Sequence, residues 1–208
     1  MGNVWREFSF DYKVIGMSYA IPFVSYVLCI MIILSDSSSS DPYFGYAFLQ
    51  GMAIPLAGVH TVFLYKYVLE DGAFETLVPL HRKRIYVDVM RYTLLHGGIV
   101  FALLMLLVYV NGSQFFTIEK TVHIVALFIF YQLIGLALLT FIRNFEISVA
   151  VVGMYTFIEV VTRGEFMPWP RIFIFYDPFL YDMQWKFFFI GLGIVLSLIQ
   201  IIRTFSLR

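Results

Sequence analysis

From residue 14 to residue 34 no side chain carries a charge, and the same holds for residues 43–65, 92–110 and 121–142. Each run is close to the roughly 20 residues that a helix needs to cross the hydrocarbon core of a bilayer. A backbone with no water around it must satisfy its own N–H and C=O groups, so runs of this kind fold as helices. Two shorter runs follow, 147–162, which contains Glu159, and 187–202. Charged residues make up 13% of the chain, about half of what a soluble domain carries. The expected fold is therefore all-α, a polytopic helical membrane protein with six transmembrane helices in a single domain over residues 1–208.

The formal net charge is zero, which offers no basic face to a nucleic acid. The one cysteine, Cys29, lies inside the first apolar run and reads as a packing residue. Ahead of that run, Trp5, Phe8, Tyr12 and Ile15 recur at helical spacing, with Arg6, Glu7, Asp11 and Lys13 among them. That pattern predicts an N-terminal interfacial helix. Between the fifth and sixth runs lies GEFMPWPRIFIFYDPFLYDMQWK, rich in aromatics and prolines. It predicts a broken hairpin before the last span, with helix interrupted between residues 164 and 177. Asp177 followed by Pro178 reads as an N-cap and first helical residue of the helix that continues into that span.

Basic residues orient the chain. With a cytoplasmic N-terminus, the inner segments hold Arg6, Lys13, Lys66, Arg82, Lys83, Arg84, Arg91, Arg143, Arg203 and Arg208. The outer segments hold Lys120, Arg163, Arg171 and Lys186. Ten of the 14 lysines and arginines thus fall inside, which puts both termini in the cytoplasm and the broken hairpin on the outer side of the cell membrane.

The densest charge sits in residues 70–84, EDGAFETLVPLHRKR. Glu70, Asp71 and Glu75 come first and His81, Arg82, Lys83 and Arg84 last, the order that complements a helix macrodipole. Phe74, Leu77 and Val78 fall on one face, and Pro79 ends or bends the helix. A short amphipathic helix under the membrane, between the second and third spans, is suited to docking a cytoplasmic partner. The plainer reading is a charged loop that only anchors the chain.

Glu70, Gly72, Glu75, Leu77, Pro79 and Arg82 or Arg84 in this segment resemble the coupling region of ABC-2-type transporter permeases, and Phe74 belongs to the same docking helix. There an acidic residue, a glycine, a second glutamate and a leucine-rich turn precede a proline and a basic residue. Pro79 stands about two residues early against that pattern. The resemblance extends along the chain, from an N-terminal interfacial helix through six spans, with a cytoplasmic coupling helix after the second and a broken hairpin before the sixth. It implies a permease subunit of an exporter that pairs with a second permease subunit, identical or related. Each would dock an ATP-binding cassette subunit at residues 70–84. ATP and Mg²⁺ would belong to that partner, and no cofactor is expected on this chain, which has no GxxxxGK[ST] loop for phosphates.

Glu159 is the one carboxylate inside a predicted span, and intramembrane ionisable groups are functional candidates. Together with Trp169 and Tyr176 it is a possible substrate-path residue. An i,i+4 ion pair of Glu159 with Arg163 is the expectation ranked ahead, and an interfacial aromatic belt is the matching one for Trp169 and Tyr176. None of His60, His81, His96 and His123 lies three or four residues from another, so no helix presents two ligands on one face and no metal site is expected. A membrane-embedded lipid-modifying enzyme and a non-transporting sensor are the alternative classes.

Overall fold

The computed structural model describes residues 4–35, 41, 43–69, 84–166, 170–177 and 180–206. The described residues are helical almost throughout. Helix α1 (Val4–Ile15) runs through a 3₁₀ turn (Gly16–Ala20) into α2 (Ile21–Ser35). Helix α3 (Phe44–Phe48) passes through a π turn (Leu49–Ala53) into α4 (Ile54–Leu69). Then come α5 (Arg84–Asn111), α6 (Ile118–Ile142), α7 (Phe145–Val161) and α8 (Leu180–Ser206).

Among the described residues, five runs are long and apolar enough to cross a membrane: Phe8–Ser35, Phe44–Lys66, Arg84–Asn111, Ile118–Ile142 and Tyr181–Phe205. Helix α7 has 17 residues, about 25 Å at 1.5 Å per residue, a little short of the roughly 30 Å core. The N-terminal helix is not a separate element lying apart from the first span. It joins α2 in one helical run, turned at Gly16, whose φ of 66° lies in the left-handed region open to glycine. Asp11, whose charge suits an interfacial helix, is 1% exposed.

Helix α6 is the axis of the molecule. Thr117 caps it by accepting the N–H of Lys120, and Glu119 stands in its first turn. It packs most extensively against α4 on one side and α8 on the other. Apolar burial drives little between helices in lipid, so close backbone approach matters more. At Gly58 a β-carbon would lie 2.4 Å from the carbonyl oxygen of Tyr131, and at Gly135 one would lie 2.7 Å from Val62. Glycine at these two positions is what lets α4 and α6 meet so tightly.

Helix α7 starts at Asn144, whose side chain accepts the N–H of Ile147 at 3.0 Å. It stops because Arg163 and Gly164 both adopt positive φ, 49° and 75°, and the N–H of Gly164 folds back onto the carbonyl of Glu159. The described residues from there to Asp177 contain no helix, as the prolines and aromatics of this stretch predict.

Candidate functional site

The break between α7 and α8 returns the chain into the protein. Ile172, Phe173 and Ile174 are each 1% exposed although their backbone is irregular and makes no helical bonds. Buried backbone without partners is costly, so each peptide group here needs one. Side chains from four elements supply them. The Oε1 atom of Glu159 accepts the N–H groups of Ile172 at 2.6 Å and Phe173 at 2.8 Å. Gln50, in the π turn, accepts the N–H of Ile174 at 2.9 Å and donates to its carbonyl at 2.8 Å. On α6, Nε2 of His123 bonds the carbonyl of Ile172 at 2.7 Å. Lys186 of α8 donates to the carbonyl of Phe173 at 2.7 Å, and Tyr155 of α7 donates to that of Pro170 at 2.6 Å. The segment 170–174 is thus a strap tied to α3–α4, α6, α7 and α8.

One expectation is corrected here. Glu159 does not pair with Arg163: it is fully buried, and its helix ends before Arg163, which reaches Asp41 at 3.0 Å instead. The i,i+4 spacing would join them only if α7 continued past residue 163. Glu159 shares a polar crevice with Tyr176, Arg171 and Lys186 whose volume is about 10 Å³, room for one water. Tyr176 is 57% exposed at its rim. Trp169 lies outside the described residues.

At the strap's end, Asp177 is held from two sides. Its Oδ1 accepts from the Lys120 ammonium at 3.0 Å and the Tyr43 hydroxyl at 2.8 Å. These bonds, and the Lys120 charge behind the first, hold its carboxyl below the usual range. Lys120 also donates to Tyr43 and to the carbonyl of Gln114, so one ammonium ties three connections together.

A second buried polar network lies where α1, α2, α4 and α5 meet. Arg91 bonds Asp11 and sits 3.2 Å from Asp88, with its guanidinium over the ring of Phe8. The Tyr92 hydroxyl donates to Asp11 at 2.9 Å, and that of Tyr65 to Asp88 at 2.8 Å. Alongside it, the Tyr26 hydroxyl is 2.7 Å from Nδ1 of His96, whose Nε2 is 2.9 Å from Nδ1 of His60. Two imidazoles and a phenol so bond in series, from three helices, with Nε2 of His60 left buried at the end of the series. Histidines that no single helix presents together meet here in space, and among the described residues no group of three or more ligating side chains could hold a metal ion.

Glu70, Gly72, Phe74, Glu75, Leu77, Pro79 and Arg82 lie outside the described residues. Arg84 is the first residue of α5, with its Nε 3.4 Å from Asp88 and its guanidinium over the ring of Phe10. The charged segment therefore leads straight into the helix that carries Asp88, Arg91, Tyr92 and His96. Compared with known proteins, the chain matches no family model, no curated protein and no solved structure.

Proposed function

We propose that this chain is the membrane-spanning permease subunit of an ABC transporter, working as an exporter. A separate ATP-binding subunit would dock at residues 70–84 on the cytoplasmic side of the cell membrane, where both termini also lie. A second permease subunit would complete the path.

The observation that carries this reading is the strap. Irregular backbone at membrane depth is tolerated only where protein covers it or where it lines a water-filled cavity. The irregular backbone of the strap is covered by five polar side chains drawn from the π turn, α6, α7 and α8, as membrane depth would require. A helical bundle with five membrane-length apolar helices, interrupted in this way before its last helix and carrying its charge between α4 and α5, fits a permease better than it fits an inert anchor. The network behind Arg84 adds support. A force applied to residues 70–84 would enter α5 at Arg84 and be shared with α1, α2 and α4 through Asp11, Tyr26 and His60. ATP chemistry stays on the partner, and this chain turns its conformational change into motion of the spans.

Affinity purification from host membranes in mild detergent tests the reading. A chain that binds and hydrolyses ATP is expected to elute with the protein. Elution without such a chain, or turnover of a lipid by the protein alone, would overturn it.

A further inference from the structure

Between α6, α7 and α8 lies an apolar cavity of about 350 Å³, within the range of roughly 300–1,000 Å³ typical of small-molecule sites. Helices α7 and α8 barely touch, and the gap between them is its mouth. The mouth is edged by Val151, Leu192 and Leu196, which are 46%, 44% and 56% exposed, so the cavity is continuous with the surface that faces hydrocarbon. Its inner end is closed by Pro170 and Ile172 of the strap.

The walls decide what fits. Both lining hydroxyls are already engaged, that of Tyr131 with Thr156 at 2.8 Å and that of Tyr155 with the Pro170 carbonyl at 2.6 Å. A peptide inside would leave its own N–H and C=O groups unpaired, at several kcal/mol each in such surroundings. A hydrocarbon chain loses nothing. Beside the closed end, Arg171 is exposed between the two strap residues that line the cavity. The crevice it borders gathers three cations, Arg163, Arg171 and Lys186, against two carboxylates, Glu159 and Asp182. Arg163 is paired with Asp41 and Lys186 is bonded to the strap, while Arg171, which donates to the carbonyl of Glu165 at 3.3 Å, is exposed and faces outward.

We propose that this cavity binds one hydrocarbon chain of a membrane lipid with an anionic headgroup, the headgroup being met by Arg171. The site does not depend on the lipid being cargo, nor on the permease reading.

The test uses the full-length protein in nanodiscs of phosphatidylglycerol or phosphatidylcholine, each doped with its own analogue bearing a photoreactive acyl chain. Labelling is expected to concentrate on peptides of α6, α7 and α8 that line the cavity. It should be about fivefold stronger for phosphatidylglycerol, as one basic residue near an anionic lipid provides. Leu192→Trp or Val151→Trp, each projecting into the mouth, should bring labelling down to that of other lipid-facing helices. Val149→Trp, in the separate apolar cavity between α4 and α7, should not. Arg171→Gln, on an exposed side chain, should keep the labelled positions and remove the headgroup preference. Labelling spread evenly over lipid-facing helices, or equal labelling by the two lipids in the wild type, would overturn the proposal and leave bulk lipid only. Whether an ATP-binding subunit co-purifies is read separately and does not bear on this result.

Discussion

One carboxylate oxygen of Glu159 holds the amide of Ile172 at 2.6 Å, across the break that separates α7 from the strap. The same oxygen takes the amide of Phe173 at 2.8 Å. A buried carboxyl group thus serves backbone that has left the helix.

Removing this acceptor should loosen the strap. Glu159→Ala leaves two buried N–H groups without a partner, at about 1–3 kcal/mol each. Glu159→Gln keeps an oxygen in place and should cost clearly less. Thermal unfolding in detergent, with proteolysis of the α7–α8 connection as a second readout, should rank the three proteins in the order wild type, Gln, Ala. Equal stability of wild type and Glu159→Ala would show that the strap does not rest on this residue.

The inner network predicts a coupled pair. Removing one partner of a buried ion pair leaves an uncompensated charge and costs about 3–5 kcal/mol. Asp11→Asn and Arg91→Met should each approach this, while the double variant should lose much less than their sum. Additive losses would mean that Asp11 and Arg91 do not act on each other.

Asp177 predicts a pH dependence. Its folded pKa lies below the ordinary carboxylate value of 3.8, so its contribution to stability is present above that value and fades as pH falls through the folded pKa. The difference in melting temperature between wild type and Asp177→Asn should be positive at pH 6 and shrink below about pH 4. With its side chain 82% exposed, the effect should be modest and weakened by salt. A difference that grows on acidification would contradict the sign.

Much of the helical order was legible because apolar runs are a direct consequence of the medium. Runs at 43–65 and 121–142 end close to the helices Phe44–Lys66 and Ile118–Ile142. Run edges elsewhere misplace the helix ends. The run 92–110 belongs to a helix that starts at Arg84, because Asp88 and Arg91 find buried partners and need not stay in water. Likewise the run 187–202 belongs to Leu180–Ser206, where Lys186 is spent on the strap. The set of side chains that holds the strap was only half legible. Gln50 and His123 stand out as polar residues inside apolar runs, where each must have a partner. Nothing in the sequence names the backbone of residues 172–174 as that partner. Contacts such as Arg91 with Asp11, or His60 with His96, join residues far apart in the chain and carry no local pattern.

Orientation has its own check. Ser38→Cys should react with an impermeant thiol reagent from outside the cell, and Lys83→Cys should not, since the positive-inside rule assigns ten of the 14 basic residues to the side opposite residue 38. The native Cys29 is buried and should stay silent. Labelling in the reverse sense would place residues 70–84 outside, beyond reach of an ATP-binding subunit.

The most direct measurement is capture of that subunit by Glu75→Lys. A charge set against the wrong partner charge can cost several kcal/mol at an interface, whereas an exposed charge adds little to a protein's own stability, about 0–1 kcal/mol. The variant should therefore insert and accumulate like the wild type, yet recover far less of the ATP-binding subunit and its ATPase activity. Full capture and full ATP hydrolysis with Glu75→Lys would contradict docking at residues 70–84.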